Sequence, residues 1–316
     1  MKVLFWSRVP FARVQTLDAL AQLDGVEVQL VESLEDTLAA VGDIDLLVTG
    51  DAPADEATKV LDALTAGGRA RAIHFISAGR GGFEAAGIPD EIAVTGPVGA
   101  NAATVAEHAA ALTVALHRQI PAIAQATSEG VWAKHLIKDL RSLEGARVLI
   151  VGLGHIGREY AARVRAFGAV AIGLQRTSRA DDSVDELRRL DELDELLPTA
   201  DVVAITIAQT AETTGLFDAE RIARIQPGAF LINVARGGIV DTNALADALA
   251  AGRLSGAAVD VTEPEPLPEG HPLWAAPNVI ISPHFAGGGS PMSMRRVGAS
   301  AADCVRAMQE EAKPRV

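Results

Sequence analysis

The sequence predicts an α/β protein in which helices cover parallel sheets and the chain forms two domains. The chain has 316 residues, which is more than one compact core commonly holds. Short apolar runs alternate with helical stretches along most of its length, and that order is typical of parallel sheets. A glycine-rich turn also stands between a buried strand and a helix near the middle of the chain. Together these observations indicate doubly wound sheets.

The first 97 residues have the pattern of one such sheet. Apolar runs predict strands at Val3–Trp6, Val26–Val31, Leu46–Thr49 and Ala72–Ser77. Helical stretches are expected at Phe11–Leu23 and Thr58–Ala66. The second helix is followed by Gly67-Gly68, a common stop signal, so the chain is expected to turn back there.

A long helix is predicted from Asn101, its cap, to His117. Apolar residues lie nearly all round it, and a helix without a polar face is normally buried. Because one small domain does not readily give such a helix full cover, the sequence favours a homodimer.

The second half of the chain repeats the alternation of strands and helices. Arg147–Val151, helix Arg158–Phe167 and Val170–Leu174 are expected to form a βαβ unit around the glycine-rich turn. Further strands are predicted at Val202–Ile207, Phe230–Val234, Gly256–Val261 and Val279–Ser282, with a proline-rich loop at Glu263–Pro272 and a C-terminal helix at Ala301–Met308.

Composition narrows the partners and the compartment. The formal net charge of −13 disfavours nucleic acid and anionic membranes as partners. The single cysteine, Cys304, cannot form an internal disulfide, which suits a reducing cytoplasm. The N-terminus lacks a signal-peptide core, and no apolar run is long enough to span a membrane. We therefore expect a cytoplasmic protein, and no metal site is predicted.

The turn Gly152-Leu-Gly-His-Ile-Gly157 fits a dinucleotide fingerprint of the Rossmann type. Gly152 permits the tight turn, Gly154 lets a pyrophosphate approach the backbone, and Gly157 lets the helix pack on the sheet. The helix N-terminus offers free N–H groups and partial positive charge to the phosphates. A bare G-x-G-x-x-G is weak evidence, but the flanking strand and helix make it specific.

The residues after the next strand predict which dinucleotide binds. An NAD site usually has Asp or Glu there, about 20 residues on, to hold the ribose hydroxyls. Gln175 stands at that place, eighteen residues after Gly157, and Arg176, Thr177, Ser178 and Arg179 follow it. Arginines bind a 2′-phosphate by charge-assisted bonds. The sequence thus favours NADP(H), with NAD(H) as the alternative if this basic loop is only solvated.

Three downstream segments carry a family resemblance. They are Ile232-Asn-Val-Ala-Arg-Gly-Gly-Ile-Val-Asp241, Asp260-Val-Thr-Glu-Pro-Glu-Pro266 and Ser282-Pro-His-Phe-Ala-Gly287. In this order, after the glycine fingerprint, they resemble the D-isomer-specific 2-hydroxyacid dehydrogenases, including the glyoxylate and hydroxypyruvate reductases. The match runs nearly without a break from about Asn101 to Gly287 and is mostly architectural before that.

The resemblance implies a fold and an activity. A Rossmann cofactor domain, residues 98–284, would be inserted in a flavodoxin-like substrate domain made of residues 1–97 and 285–316. The active site would lie in the cleft between them. The implied activity is reduction of a small 2-keto acid to the D-2-hydroxy acid.

The resemblance also implies residue roles. Arg236 would hold the substrate carboxylate and keto oxygen, because a guanidinium fork suits a planar 2-keto acid. His284 would be the acid–base group, since imidazole exchanges protons near neutral pH, and Glu265 would orient it. The residues expected to contact the cofactor are Gly152, Leu153, Gly154, His155, Ile156, Gly157, Gln175, Arg176, Thr177, Arg179, Ala208, Thr213, Val234, Ala235, Asp260 and His284.

The loop Ser77-Ala-Gly-Arg-Gly-Gly82 is a candidate cradle for the substrate carboxylate, with Gly79, Arg80 and Gly81 as contacts. Arg80 departs from the small apolar residue that the family has there. It points to solvent or meets a second negative group on the substrate. Ala208-Gln209, where the family usually has Pro-Leu, and Thr262, where an aromatic is common, are further departures.

Three other functions stay open at this point. The same fold serves as a cofactor-sensing scaffold, such as a corepressor, and fold alone does not separate the two. A dehydrogenase for a larger or dianionic 2-hydroxy acid is the second, and a formate dehydrogenase is the third. The complete set of Arg236, Glu265 and His284 favours an enzyme.

Overall fold

The computed structural model describes residues 1–77, 79–176 and 180–310. The chain divides into two compact units, Met1–Asn101 with Ser290–Val316, and Ala102–Gly289. Each unit is built on one sheet, and all named strand pairs of both sheets are parallel. The predicted α/β class with two parallel sheets is therefore confirmed.

The strands of the described residues follow in chain order. They are β1 (Lys2–Trp6), β2 (Glu27–Val31), β3 (Leu46–Thr49), β4 (Ala72–Phe75), β5 (Ala93–Thr95), β6 (Arg147–Val151), β7 (Val170–Gln175), β8 (Glu186–Arg189), β9 (Val202–Ile205), β10 (Phe230–Asn233), β11 (Gly256–Val259) and β12 (Val279–Ile281). The first sheet has the order β2-β1-β3-β4-β5, and the second has the order β12-β11-β10-β9-β6-β7-β8.

The α-helices of the same residues are α1 (Arg13–Ala21), α2 (Leu34–Ala40), α3 (Ala54–Gly67), α4 (Gly81–Ala86), α5 (Ala102–His117), α6 (Ile120–Ser128), α7 (His155–Ala166), α8 (Leu193–Leu196), α9 (Ala219–Arg224), α10 (Thr242–Ala250) and α11 (Pro291–Gln309). Short 3₁₀ segments complete the connections. None of these helices combines the length and the apolar character needed to cross a bilayer.

Side chains alternate between two cores in each sheet. In β1, Leu4 and Trp6 belong to one apolar cluster, and Val3 and Phe5 belong to the cluster on the other face. In β6, Leu149 and Val151 are likewise separated from Val148 and Ile150. Burial on both faces explains why these strands are nearly continuous apolar runs in the sequence.

The order of the second sheet creates a switch point at β6. From β6 the chain adds β7 and β8 on one side and then β9 to β12 on the other. Loops that leave the carboxyl ends of β6 and β9 therefore diverge, and ligands of doubly wound sheets bind in the crevice formed there.

Helix α5 is buried as the sequence predicts, but the cover comes from its own unit. It packs against α7 and against β10, β11 and β12. Within the helix, only Glu107 and Ala111 are exposed. A partner subunit is thus not needed to cover this helix, and the apolar surface of α5 does not support a homodimer.

His74 is a buried titratable group in the first unit. It lies on β4 with 1% of its surface exposed, and its Nδ1 is 2.8 Å from the Thr95 hydroxyl. That hydroxyl donates to Cys304 Sγ at 3.4 Å, so His74 Nδ1 is the donor to Thr95. Nε2 has no partner among the described residues. Burial lowers the pKa of His74 to about 4.

We expect this histidine to make folding acid-sensitive. A histidine in an unfolded chain has a pKa of about 6.5, so protonation favours the unfolded chain below that pH. The contribution is fully present above about pH 6.5 and is lost as the pH falls toward the folded pKa of about 4. That shift corresponds to about 3 kcal/mol. Urea unfolding between about pH 7 and about pH 4.5 measures the loss.

His74→Asn tests this assignment, because asparagine keeps a donor near the Nδ1 position and does not titrate. We expect a shallower fall of unfolding free energy with acid in this variant, whatever its stability at neutral pH. His135→Asn, at an exposed histidine, is the control and should keep the parent pH dependence. An unchanged slope in His74→Asn would assign the acid sensitivity to other groups, such as His117, whose pKa is also lowered by burial.

Candidate active site

The loop between β6 and α7 is shaped by its glycines. Gly152 has φ 104°, and a Cβ there would lie 2.5 Å from Ile207 Cα. A Cβ on Gly157 would lie 2.3 Å from the Gly152 carbonyl oxygen. Beside Gly154 there is nothing within 4 Å. The first and third glycines thus permit close backbone packing, and the second leaves open space.

This open space lies where a pyrophosphate would approach. Helix α7 begins at His155, and its N-cap residue Gly154 makes no side-chain capping bond. The first N–H groups of the helix are therefore free of a side-chain cap, and the helix end favours an anion. The geometry fits a dinucleotide. His155 is exposed and Ile156 is half-buried, whereas the Leu153 side chain packs in the core.

Thr206, at the end of β9, fixes this loop and was not found from the sequence. Its hydroxyl donates to the Gly152 carbonyl at 2.7 Å. The Leu153 N–H donates to the Leu174 carbonyl at 2.9 Å, which ties the other side of the turn to β7. The turn is therefore held from two neighbouring strands.

The predicted 2′-phosphate pocket begins at the end of β7. Gln175 is the last residue of that strand and is half-buried, and the Arg176 that follows it is exposed. Thr177 and Arg179, which were predicted to complete the pocket, lie outside the described residues. The assignment of these positions to the cofactor stays a prediction.

The loops after β9 and β10 contain four more residues predicted to contact the cofactor. Thr213 donates to the Ala208 carbonyl at 2.8 Å and accepts from the Thr210 N–H at 2.7 Å. Its hydroxyl thus shapes the loop. Val234 and Ala235 are 6% and 7% exposed, so their side chains pack inward.

Arg236 stands in a tightly held turn. The Asn233 side chain, 1% exposed, donates to the Arg236 carbonyl at 3.0 Å and accepts from the Ala235 N–H at 3.1 Å. A Cβ on Gly237 would lie 2.0 Å from the Thr262 carbonyl oxygen, so this turn packs directly on the loop after β11. Arg236 is half-buried, and its Nη1 donates to the Ala235 carbonyl at 2.8 Å.

The predicted partners Glu265 and His284 are in contact. His284 Nδ1 lies 2.7 Å from Glu265 Oε1, and the two side chains, His284 first, are 45% and 41% exposed. A carboxylate at Nδ1 favours a proton there and leaves Nε2 for exchange with a ligand. His284 has φ 52°, in the left-handed region that non-glycine residues adopt only when their surroundings hold them.

Asp260 supplies those surroundings. It is 2% exposed and accepts from the Ser282 hydroxyl at 2.6 Å and from the Ala286 N–H at 3.0 Å. It also accepts from the Phe285 N–H at 3.2 Å, and its carbonyl accepts from the His284 N–H at 2.8 Å. Asp260 therefore shapes the loop that carries His284. Its predicted contact with the cofactor stays a prediction.

The sheet topology brings these groups to one edge. Arg236 follows β10, Glu265 lies in the loop after β11, and His284 follows β12. These three strands are parallel neighbours, and parallel strands have their carboxyl ends at the same edge. The imidazole–carboxylate pair and the guanidinium of Arg236 thus lie at the sheet edge from which the phosphate loop also leaves. Such a set can bind an anion and exchange a proton.

In the first unit, the candidate carboxylate cradle has groups that are already paired with carboxylates of this chain. Asp51, at the end of β3, accepts from the Gly82 N–H at 3.1 Å and from its own neighbour Ala52 at 2.9 Å. Arg80 pairs with Glu84 at 2.7 Å. The roles of Gly79, Arg80 and Gly81 stay predictions, and Ala78 lies outside the described residues.

Four polar residues that hold these loops were not found from the sequence, although they have similar positions: Asp51, Thr206, Asn233 and Ser282. Each is a polar residue at the carboxyl end of a strand or within two residues after it. Such positions hold loop backbones that carry ligand groups. Among the described residues, no group of three or more His, Cys, Asp or Glu side chains is placed to hold a metal ion.

The fold and the phosphate loop define a dinucleotide-binding α/β protein, and comparison with known proteins identifies its family. Residues 110–286 match the family model of the D-isomer specific 2-hydroxyacid dehydrogenase NAD binding domain. The chain belongs to the D-isomer-specific 2-hydroxyacid dehydrogenase family. The resemblance in the three motifs is thereby confirmed.

Individual relatives agree with this assignment. A glyoxylate reductase of Thermofilum pendens is 34% identical over 241 residues, 74% of this chain and 71% of its own. A solved structure from Thermus thermophilus is 33% identical with a TM-score of 0.80, covering 99% of this chain and 98% of its own. A D-isomer specific 2-hydroxyacid dehydrogenase from Xanthobacter autotrophicus Py2, solved with NADPH and MES, is 27% identical with a TM-score of 0.80, covering 98% and 95%.

Some relatives are much longer. The D-3-phosphoglycerate dehydrogenase of Mycobacterium bovis is 36% identical over 206 residues, which are 65% of this chain but 38% of that protein. The chain thus spans well under two thirds of the length of these relatives.

Proposed function

We propose that the protein is a reductase of small 2-keto acids, such as glyoxylate or hydroxypyruvate, that yields the D-2-hydroxy acid and prefers NADPH. The contact of 2.7 Å between His284 and Glu265 is the observation on which the proposal depends. An oriented imidazole is the group that a reversible proton transfer requires. The relative named glyoxylate reductase supports the substrate class.

The dinucleotide would be held by the Gly152–Gly157 loop, by the N-terminus of α7 and by the residues after β7. When bound, its nicotinamide ring supplies the hydride. The chain's own residues do the rest. Arg236 binds the carboxylate and keto oxygen of the substrate through its guanidinium fork. His284 Nε2 donates a proton to the keto oxygen in reduction and accepts it in oxidation, while Glu265 holds Nδ1.

A monoanionic substrate is favoured over a dianionic one. A second negative group would need free positive charge near the candidate cradle. Arg80 is already paired with Glu84 at 2.7 Å, and the Gly82 N–H is bound to the Asp51 carboxylate. Within the first unit, both carboxylates disfavour the binding of a further anion at the cradle. A cofactor-sensing scaffold would not need the pairing of His284 with Glu265, so we favour an enzyme.

We also propose a cytoplasmic homodimer, now on a different surface. Helix α6 has no buried residue. The apolar side chains that it and the following segment expose, here called the α6 surface, are Ile120, Ile123, Val131, Trp132 and Ile137. Trp132 is 92% exposed. Clustered exposed apolar residues are typical of interfaces, and a second copy of this chain is the partner that the family resemblance implies.

His284→Ala is expected to lower kcat for glyoxylate or hydroxypyruvate reduction by roughly 10²–10⁴, the usual contribution of a positioned acid–base group. Glu265→Gln should lower it less, because the imidazole stays but its orientation weakens. The measurement is cofactor oxidation at saturating cofactor. Glu269→Gln, an exposed position of the same proline-rich loop, is the control and should match the parent.

The same assay separates binding from chemistry. Arg236→Lys keeps a positive charge but loses the two-pronged geometry, so we expect a large rise in KM for the keto acid. Parent-like constants in His284→Ala would remove that residue from the mechanism, and parent-like constants in Arg236→Lys would show that it does not hold the substrate.

The parent enzyme should prefer NADPH to NADH by roughly 10- to 1000-fold in kcat/KM, since one or two charge-assisted bonds to the 2′-phosphate contribute about 1.5–3 kcal/mol each. The double variant Gln175→Asp with Arg176→Ala removes a cation and adds a repelling carboxylate. It should shift the preference toward NADH. Equal or better use of NADH by the parent would contradict the proposed binding of a 2′-phosphate after β7.

Light scattering at micromolar concentration should give twice the chain mass for the parent. Ile123→Glu combined with Trp132→Glu places two charges on the α6 surface and should give the monomer mass. Phe167→Glu changes an exposed apolar residue elsewhere in the unit, 51% exposed, and should leave the dimer intact. A monomeric parent would contradict the proposed assembly.

A further inference from the structure

His108, on helix α5, contacts the loop that carries His284. Its Nε2 lies 3.0 Å from the Ser282 hydroxyl and 3.7 Å from Asp260 Oδ1. Its side chain is 22% exposed. No sequence pattern connects it with the proposed site, because α5 lies far before these residues in the chain.

The direction of the hydrogen bonds follows from the number of protons. The Ser282 hydroxyl has one proton and donates it to the Asp260 carboxylate at 2.6 Å, because that carboxylate only accepts. Ser282 Oγ therefore accepts from His108, and His108 carries a proton on Nε2. A chain of donors thus runs from His108 through Ser282 to Asp260.

These hydrogen bonds hold residues on both sides of His284. Ser282 lies two positions before it, and Asp260 binds the N–H groups of Phe285 and Ala286 after it. The His284 N–H donates to the carbonyls of Asp260 and Ser282, at 2.8 Å and 3.0 Å. Anchors before and after one residue are what a left-handed conformation of φ 52° needs.

His108 also meets the residue next to His284 directly. The rings of His108 and Phe285 are in an edge contact, with centroids 5.3 Å apart and planes at 66°. Phe285 is otherwise 53% exposed. By contrast, the buried His117 on the same helix bonds to its own helix, at the Thr113 carbonyl. His108 is therefore directed at the His284 loop and not at helix α5 itself.

We propose that His108 is a positioning residue for the acid–base group. It holds Ser282 and Asp260 so that His284 keeps its left-handed backbone and the hydrogen bond of its imidazole to Glu265. The catalytic part of this proposal rests on the proposed function, whereas the holding of the loop does not.

The test compares three substitutions at His108. His108→Leu removes the donor, His108→Gln places an amide N–H near the Nε2 position, and His108→Asn places one near Nδ1. Glu107→Gln, at the exposed neighbouring position of α5, is the control. Two readouts apply to all four variants: steady-state kinetics with a deuterated reduced cofactor, and hydrogen exchange of the amides of Phe285 and Ala286.

His108→Leu should lower kcat by about 10- to 100-fold per cofactor-binding site, because the acid–base group is less often in position. KM for the cofactor should change less than about twofold, since α7 and the phosphate loop are untouched. The deuterium isotope effect on kcat should increase as the chemical step becomes slower. Exchange of both amides should accelerate by about tenfold or more. His108→Gln should restore both readouts toward the parent, and His108→Asn should not.

Several results would overturn the proposal. A lower melting temperature with parent kcat per binding site would assign His108 to stability alone. A lower kcat with amide exchange rates equal to those of the parent would show that His108 does not act through the loop. Equal rescue by His108→Gln and His108→Asn would show that the Nε2 donor is not required. If the parent reduces no 2-keto acid, the proposed function fails, and the exchange data then decide by themselves whether His108 holds the loop.

Discussion

The loop that carries His284 depends on the burial of a single carboxylate. Asp260 is 2% exposed, and an isolated carboxylate in such surroundings would strongly disfavour folding. Its hydrogen bonds from Ser282, Phe285 and Ala286 offset that desolvation. The same bonds bend the chain after β12 so that His284 adopts a left-handed conformation and reaches Glu265. The stability of the carboxylate and the geometry of the proposed acid–base group are therefore one interaction, and a change in either affects the other.

A second constraint is the parallel sheet, which determines where that interaction can be used. In a parallel sheet all strands end at one edge, so the loops after β6, β9, β10, β11 and β12 leave from the same side. Residues far apart in sequence, such as Gly152 and His284, thereby reach one edge without long connections. Packing at this edge is tight. Only glycine fits at position 237, because a Cβ there would lie 2.0 Å from the Thr262 carbonyl oxygen. Helix α5 packs against β10 to β12 and brings His108 to the loop that carries His284.

Much of this was predictable from the sequence, for physical reasons that differ between elements. β3 and β6 were predicted with their observed bounds, because strands buried on both faces are unbroken apolar runs. Strand β8 was missed because it lies at the edge of the sheet and contains Glu186, Arg188 and Arg189. The contact between Glu265 and His284 was predictable because motifs mark both residues, and the catalytic roles of these two residues and of Arg236 stay predictions. The bonds of Asp260 to Ser282, Phe285 and Ala286 were not predictable, because they depend on the register of β11 and β12 and on a left-handed turn that no local pattern encodes.

The two units use carboxylates in a related way, with different results for the neighbouring backbone. Asp51 follows β3 as Asp260 follows β11, and both accept backbone N–H groups: Asp51 from the first turn of α4, and Asp260 from the loop after β12. In the second unit the carboxylate positions a histidine. In the first, it takes up the Gly82 N–H that an anion-binding nest would offer, and Glu84 neutralises Arg80. In the second unit, the proposed binding of a 2-keto acid needs a cation that has no carboxylate partner in the described ranges. Arg236 meets that requirement: within those ranges its side chain bonds to the Ala235 carbonyl, which leaves donors of its fork for a planar anion.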